Sequence, residues 1–135
     1  MARKPPKLII EANGEKIEGS FVLIGNGRFY GGPVTFFRDA RIDDGLLDVM
    51  IFKNQSHLDI ARYLAHIIVG QHGRLGDVKY LQTKKLHVES EEAVPVEVDG
   101  ELMAELPITF RIAAKKLRVV VPRGKGGAEQ AVEER

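Results

Sequence analysis

The sequence predicts a mainly β domain, an antiparallel β-sandwich carrying one amphipathic helix. Three observations carry that expectation. Short β-branched and aromatic runs recur along the chain, separated by Gly, Pro, Asn and Asp. The dipeptides Asn13-Gly14 and Asp99-Gly100 each sit between two such runs, and a type I′ hairpin turn needs two residues that tolerate positive φ. Only one segment, His57–Val69, switches to helical spacing. With 135 residues the chain is long enough for one domain around one core. Short strands joined by tight turns close such a core as packed antiparallel layers.

Taken in order, Lys7–Ala12 and Glu15–Ser20 read as a hairpin about Asn13-Gly14, and Phe21–Gly25 as a third strand. Asn26–Pro33, punctuated by Gly27, Gly31, Gly32 and Pro33, is a loop by composition. Leu46–Phe52 reads as a strand. Ser56 is placed to cap a helix, with Asp59 three residues on completing a short capping box. Leu58, Ala61, Leu64, Ala65 and Ile68 recur at three- and four-residue spacing and predict the buried stripe of that helix, with Gly70 closing it. After a Gly73–Gly76 loop the strand pattern returns over Val78–Thr83, Lys85–Ser90, Val94–Val98, Glu101–Glu105, Ile108–Ala113 and Leu117–Val121, with Pro107 and Pro122 bounding the last pair. The predicted organisation is a basic leader at 1–6, one domain over 7–122, and a polar, Gly-containing tail at 123–135 that is expected to be disordered.

Composition removes several function classes. Hydrophobic residues make up 44% and charged residues 29%, a globular balance. Twenty Lys and Arg against nineteen Asp and Glu leave +1, so no global field points to nucleic acid. There is no Cys, which excludes thiolate metal sites and cysteine nucleophiles. The longest apolar runs, Phe21–Ile24 and Val49–Phe52, fall far short of the roughly 20 residues a spanning helix needs. No secretory signal pattern opens the sequence, so a cytoplasmic location is expected. Charge is nevertheless uneven. Glu89, Glu91, Glu92, Glu97, Asp99, Glu101 and Glu105 form an acidic stretch without Lys or Arg, and Arg111–Lys125 is basic without an acid. Adjacent strands of opposite sign would pair across a solvated sheet face.

Four patterns bear on chemistry. The histidines, at 57, 66, 72 and 87, lack the spacing of a zinc site. Gly25-Asn26-Gly27-Arg28-Phe29-Tyr30-Gly31-Gly32 follows a strand as phosphate loops do, but lacks the Lys-Ser/Thr ending of a P-loop; Asn26 is its one amide able to meet a phosphate or orient a carboxylate. Asp43-Asp44-Gly45 is a turn that could give a hard cation one carboxylate plus loop carbonyls. In Val98-Asp99-Gly100-Glu101, two carboxylates at a hairpin tip could share a site, where mutual repulsion favours a proton acceptor.

In their order and spacing these pieces resemble the second domain of the diacylglycerol kinase-like lipid kinases, a family that includes bacterial lipid kinases, sphingosine kinases and ceramide kinases. The resemblance runs over about residues 7–122, through Gly25-Asn26-Gly27, Tyr30-Gly31-Gly32, Ala40-Arg41-Ile42-Asp43-Asp44-Gly45-Leu46-Leu47-Asp48-Val49, Val98-Asp99-Gly100-Glu101 and Leu117–Pro122. It implies a β-sandwich that partners an N-terminal nucleotide-binding domain bearing Gly-Gly-Asp-Gly-Thr. That motif is absent from this sequence. It further implies ATP as co-substrate and a lipid hydroxyl as acceptor, with Glu101 as the active-site acid and Asp99 beside it. Asp44 would bind a structural Mg²⁺ with the backbone carbonyls of Arg41 and Leu46, and Asn26 would face the cleft between domains. Such a chain would meet membranes transiently from the cytoplasm, and alone would be inactive. Two other readings are an NAD kinase-related domain and a non-catalytic module that rests Arg111–Lys125 on anionic lipid.

Overall fold

The computed structural model describes residues 5–29, 35–54, 56–68 and 75–120. Strands β1 (Leu8–Ala12) and β2 (Glu15–Gly19) pair antiparallel about Asn13 and Gly14, whose φ values of 51° and 80° are those of a type I′ turn. Then come β3 (Phe21–Gly25), β4 (Leu47–Phe52), helix α1 (His57–Ile68), β5 (Val78–Thr83), β6 (Lys85–Ser90), β7 (Pro95–Val98), β8 (Glu101–Glu105) and β9 (Ile108–Arg111). A four-stranded sheet has the order β2-β1-β6-β9, a three-stranded sheet β3-β4-β5, and β7-β8 stand as a separate hairpin.

The two larger sheets enclose the main core. Leu8, Ile10, Ala12, Ile17, Leu86 and Val88 from the first meet Val49 and Ile51 from the second. Strand β4 is buried on both faces: its other side presents Met50 and Phe52 to a second core, closed by Phe37, Ala40 and Tyr63. The three-stranded sheet is thus the middle of three layers, with the loop after β3 and helix α1 outside it. This double burial explains why Leu46–Phe52 is nearly continuous in apolar residues, where β1 and β6 alternate. Each aliphatic or aromatic side chain removed from water in this way contributes about 1.5–3 kcal/mol.

The sandwich and its helix are as expected, with three differences. Leu117–Val120 is not a strand; Val121 lies outside the described residues. Three residues of the expected helical stripe are not buried: Leu58 is 83% exposed and Ala61 and Ala65 face solvent, whereas Tyr63, between them in sequence, is 5% exposed; the Leu64 and Ile68 side chains lie outside the described ones. Tyr63 packs on Phe52 with ring centroids 4.9 Å apart, and its hydroxyl donates to Asp77 at 2.8 Å. Nor do the acidic and basic stretches pair. Register sets β7 against β8, where Glu97, Glu101 and Glu105 face Leu102, Val98 and Pro95, and sets Arg111 opposite Lys85. Residues 1–4, 30–34, Gly70 and the 121–135 tail, on which further expectations fell, lie outside the described residues.

Candidate functional site

The loop that follows β3 is folded back by its own side chains. Arg28 donates from Nε and from its terminal guanidinium nitrogen to the Arg38 carbonyl at 3.0 and 2.9 Å, and its own carbonyl accepts from the Phe36 and Phe37 amides. Phe37 is thereby laid over Gly25, where a Cβ would stand 2.3 Å from the ring. Gly25 is required by that approach. Asn26 comes next and is exposed; Tyr30–Pro33 of the same motif lie outside the described residues.

Arg41–Leu46 forms the turn before β4. Asp44 Oδ1 accepts from the Leu46 amide at 2.9 Å while Gly45 takes φ 72°, so the carboxylate closes its own turn and keeps Oδ2 free of any hydrogen bond among the described residues. Neighbouring Asp43 is held below its usual carboxylate range by the Arg41 guanidinium that binds it at 3.2 Å, with a smaller contribution from Lys116. Beneath the turn, the fully buried Asp48 accepts from the Tyr80 hydroxyl and, at 3.0 Å, from Gln82; its Oδ2 is buried without a partner among the described residues. Burial first, then the Asp48 hydrogen bond, and then the charges of Asp48, Asp39 and Asp44 push the Tyr80 phenol up.

Asp48 thus keeps one buried oxygen without a partner among the described residues beside this turn. Asp44 Oδ2 is the one carboxylate oxygen the turn itself leaves open, and an oxygen ligand of that kind suits a hard cation rather than a transition metal. No cluster of three His, Cys, Asp or Glu side chains occurs among the described residues, so any cation at Asp44 would need carbonyl oxygens as well. Asp48 and Tyr80 carry no motif of their own: Asp48 is one letter of the Asp43–Val49 run, and an acid in an otherwise apolar strand is the signal that points to it.

Asp99 and Gly100 have φ 52° and 89°, the second type I′ turn, and they carry Asp99 and Glu101 at the exposed tip of β7-β8. Neither carboxylate makes a hydrogen bond or ion pair among the described residues, and Val98, Leu102 and Met103 around them are exposed. The hairpin springs from the end of the four-stranded sheet where Leu8 pairs Ser90 and Val88 pairs Ile108. Gly25, Asp48 and Gln82 align across the other sheet at the opposite end, where Asn13 donates to the Gln82 carbonyl at 2.9 Å. The Asn26 and Asp44 loops thus share one end, and no contact among the described residues brings Asp99 or Glu101 to them.

Residues 3–121 match the family described as the YegS C-terminal NAD kinase beta sandwich-like domain. The chain belongs to that family. A diacylglycerol kinase of Mycobacterium tuberculosis is 31% identical over 121 residues, 88% of this chain and 38% of that protein. A Pseudomonas aeruginosa protein named "Probable lipid kinase YegS-like" is 35% identical over 109 residues, 79% of this chain and 35% of its own length. Among solved structures, a diacylglycerol kinase from Bacillus anthracis matches with TM-score 0.63 at 25% identity, over 81% of this chain and 38% of that one. The chain thus spans little more than a third of the length of the relatives it matches. The YegS-like family is one of lipid kinases, and this sandwich is the C-terminal domain of that type.

Proposed function

We propose that this chain is the C-terminal, acceptor-side domain of an ATP-dependent lipid kinase, with its chemistry completed by a nucleotide-binding domain. The observation that carries the reading is the exposed Val98–Glu101 turn, which holds two unpaired carboxylates in a chain whose named relatives are lipid kinases. Glu101, with Asp99 beside it, takes the proton of a lipid hydroxyl as that oxygen attacks the γ-phosphorus, and ADP leaves. Phosphoryl transfer asks the protein mainly for positioning and charge stabilisation, so a placed base needs no covalent intermediate. Asn26 faces the cleft between the domains. Asp44 and the carbonyls of Arg41 and Leu46 would hold Mg²⁺, whose charge would steady the turn before β4. The lipid acceptor implies work at a membrane surface, with the domain peripheral to it. The NAD kinase reading shares the sandwich, but the lipid kinase names of the relatives favour a lipid hydroxyl.

The test uses a chain extended by its nucleotide-binding domain. Glu101→Gln and Asp99→Asn keep side-chain size and remove the proton acceptor. A placed general base contributes about 10²–10⁴-fold, so at least one variant lowers kcat by that order while ATP binding persists. Near-normal kcat in both overturns the assignment and moves the base to the other domain.

A further inference from the structure

Beyond β9 the Ile112 amide still donates to the Lys84 carbonyl at 3.1 Å, and from Ala113 to Val120 the chain is exposed and outside any sheet. This arm presents Leu117 at 88%, Val119 at 66% and Val120 at 97% exposure. Lys115, Lys116 and Arg118 are interleaved with them, no acid occurs between Arg111 and Val120, and none of the three forms an ion pair among the described residues. Apolar side chains and cations therefore alternate along one exposed arm.

We propose that the 115–120 arm is the surface by which the domain rests on an anionic lipid bilayer. The inference rests on the lipid-kinase reading for its biological setting, and on the arm's own chemistry for its physics. A basic segment without exposed apolar residues would suit a polyanion in water, and an apolar one without charge would suit another protein. Interleaved Leu, Val, Lys and Arg match a boundary that offers phosphate on the outside and hydrocarbon just beneath it. The cations stay with the headgroups while their stems and the aliphatic side chains enter the acyl boundary.

The experiment is co-sedimentation of the chain with vesicles of phosphatidylcholine alone and of phosphatidylcholine mixed with phosphatidylglycerol, without nucleotide or diacylglycerol. Binding is expected on the mixed vesicles, weakening as salt screens the charges. Each basic residue near such a surface is worth about fivefold, so Lys115→Gln, Lys116→Gln and Arg118→Gln together should weaken binding by roughly 100-fold. Leu117→Asp with Val119→Asp should weaken it at least about tenfold. The arm packs on neither core, so circular dichroism of both variants should match the parent. Equal binding to neutral vesicles, or unchanged binding in either variant, overturns the proposal. So does vesicle-independent self-association lost in the variants, since the arm would then seat on a second copy. A kinase-dead extended chain that still binds through the arm leaves the proposal standing, and a working kinase indifferent to these variants removes it alone.

Discussion

At the scale of single residues, Gly25 and Asp44 illustrate two kinds of constraint. A methyl group on Gly25 would stand 2.3 and 2.6 Å from two carbons of Phe37, which is 3% exposed and walled in by Met50, Ala40 and Phe52. Gly25→Ala should therefore cost about 1–3 kcal/mol, the usual range for overpacking. Phe37→Leu should relieve part of it, and a double-mutant cycle by urea titration should give a coupling of at least about 0.5 kcal/mol. Additive effects would mean that the ring yields freely. For Asp44, a cation that binds only the folded chain raises Tm as Mg²⁺ is added. Asp44→Ala should abolish that rise and leave the metal-free melt nearly unchanged, because the bond lost among the described residues is one to the Leu46 amide on an exposed turn. An equal Mg²⁺ response in the variant would exclude Asp44 as ligand. The sequence marks both residues, Gly25 through a Gly-rich run and Asp44 through a resemblance. It could not show Phe37 over Gly25, because that meeting depends on the loop being folded back by Arg28.

Among the elements, helix α1 shows where periodicity stops being informative. Its Leu58, Ala61 and Ala65 stripe obeys the helical rule yet faces solvent, because the rule identifies a face without saying whether the chain supplies a layer to cover it. Among the described side chains Tyr63 docks the helix, by stacking on Phe52 and by joining a polar clamp. Asp77 accepts from Tyr63, from Asn54 at 3.1 Å and from Arg62, while Arg62 also pairs with Asp59 at 3.0 Å. The helix start was readable: Ser56 Oγ accepts the Asp59 amide at 3.2 Å and Asp59 accepts the Ser56 amide at 3.3 Å, the expected capping box. The clamp joins residues distant in sequence and was not readable. Burial pushes the Asp77 carboxyl up, but the hydrogen bonds from Tyr63 and Asn54 and the Arg62 charge prevail and hold it below its ordinary 3.8. A carboxyl lowered on folding contributes stability that is present above its unfolded value and lost as pH falls through the folded one. Asp77→Asn should thus cost about 1.5–3 kcal/mol at neutral pH, as for hydrogen bonds to a charged group. The gap between parent and variant should close below about pH 4, and a gap constant down to pH 2 would rule out Asp77 as its source.

Over the whole molecule, the two Asx-Gly turns and the alternating strands made the sandwich legible, since turn chemistry and period are local properties. The misread Leu117–Val121 pattern is local too, but a strand exists only against a partner edge, and no described strand pairs with 117–120. The charge runs failed as a guide for the same reason, because pairing is decided by register, and register turned the acidic hairpin on itself. What binds the layers into one unit is β4, whose Val49 and Ile51 belong to the core between the sheets while Met50 and Phe52 belong to the core under the helix. Neither core can dissolve without exposing the other face of the same strand, so the chain should unfold in one cooperative step. Two probes report on different layers. Tyr63 lies in the second core and Tyr80 packs against it, so in a Tyr30→Phe background, with no Trp in the sequence, tyrosine fluorescence follows that core, whereas far-ultraviolet circular dichroism follows the sheets. Met50→Ala removes a fully buried side chain from the second core and should cost about 2–5 kcal/mol. It should lower both melting curves by the same amount, as should Val49→Ala from the opposite face. If Met50→Ala shifts only the tyrosine signal, the helix and its loop form a separable layer, and the sandwich alone is the folding unit.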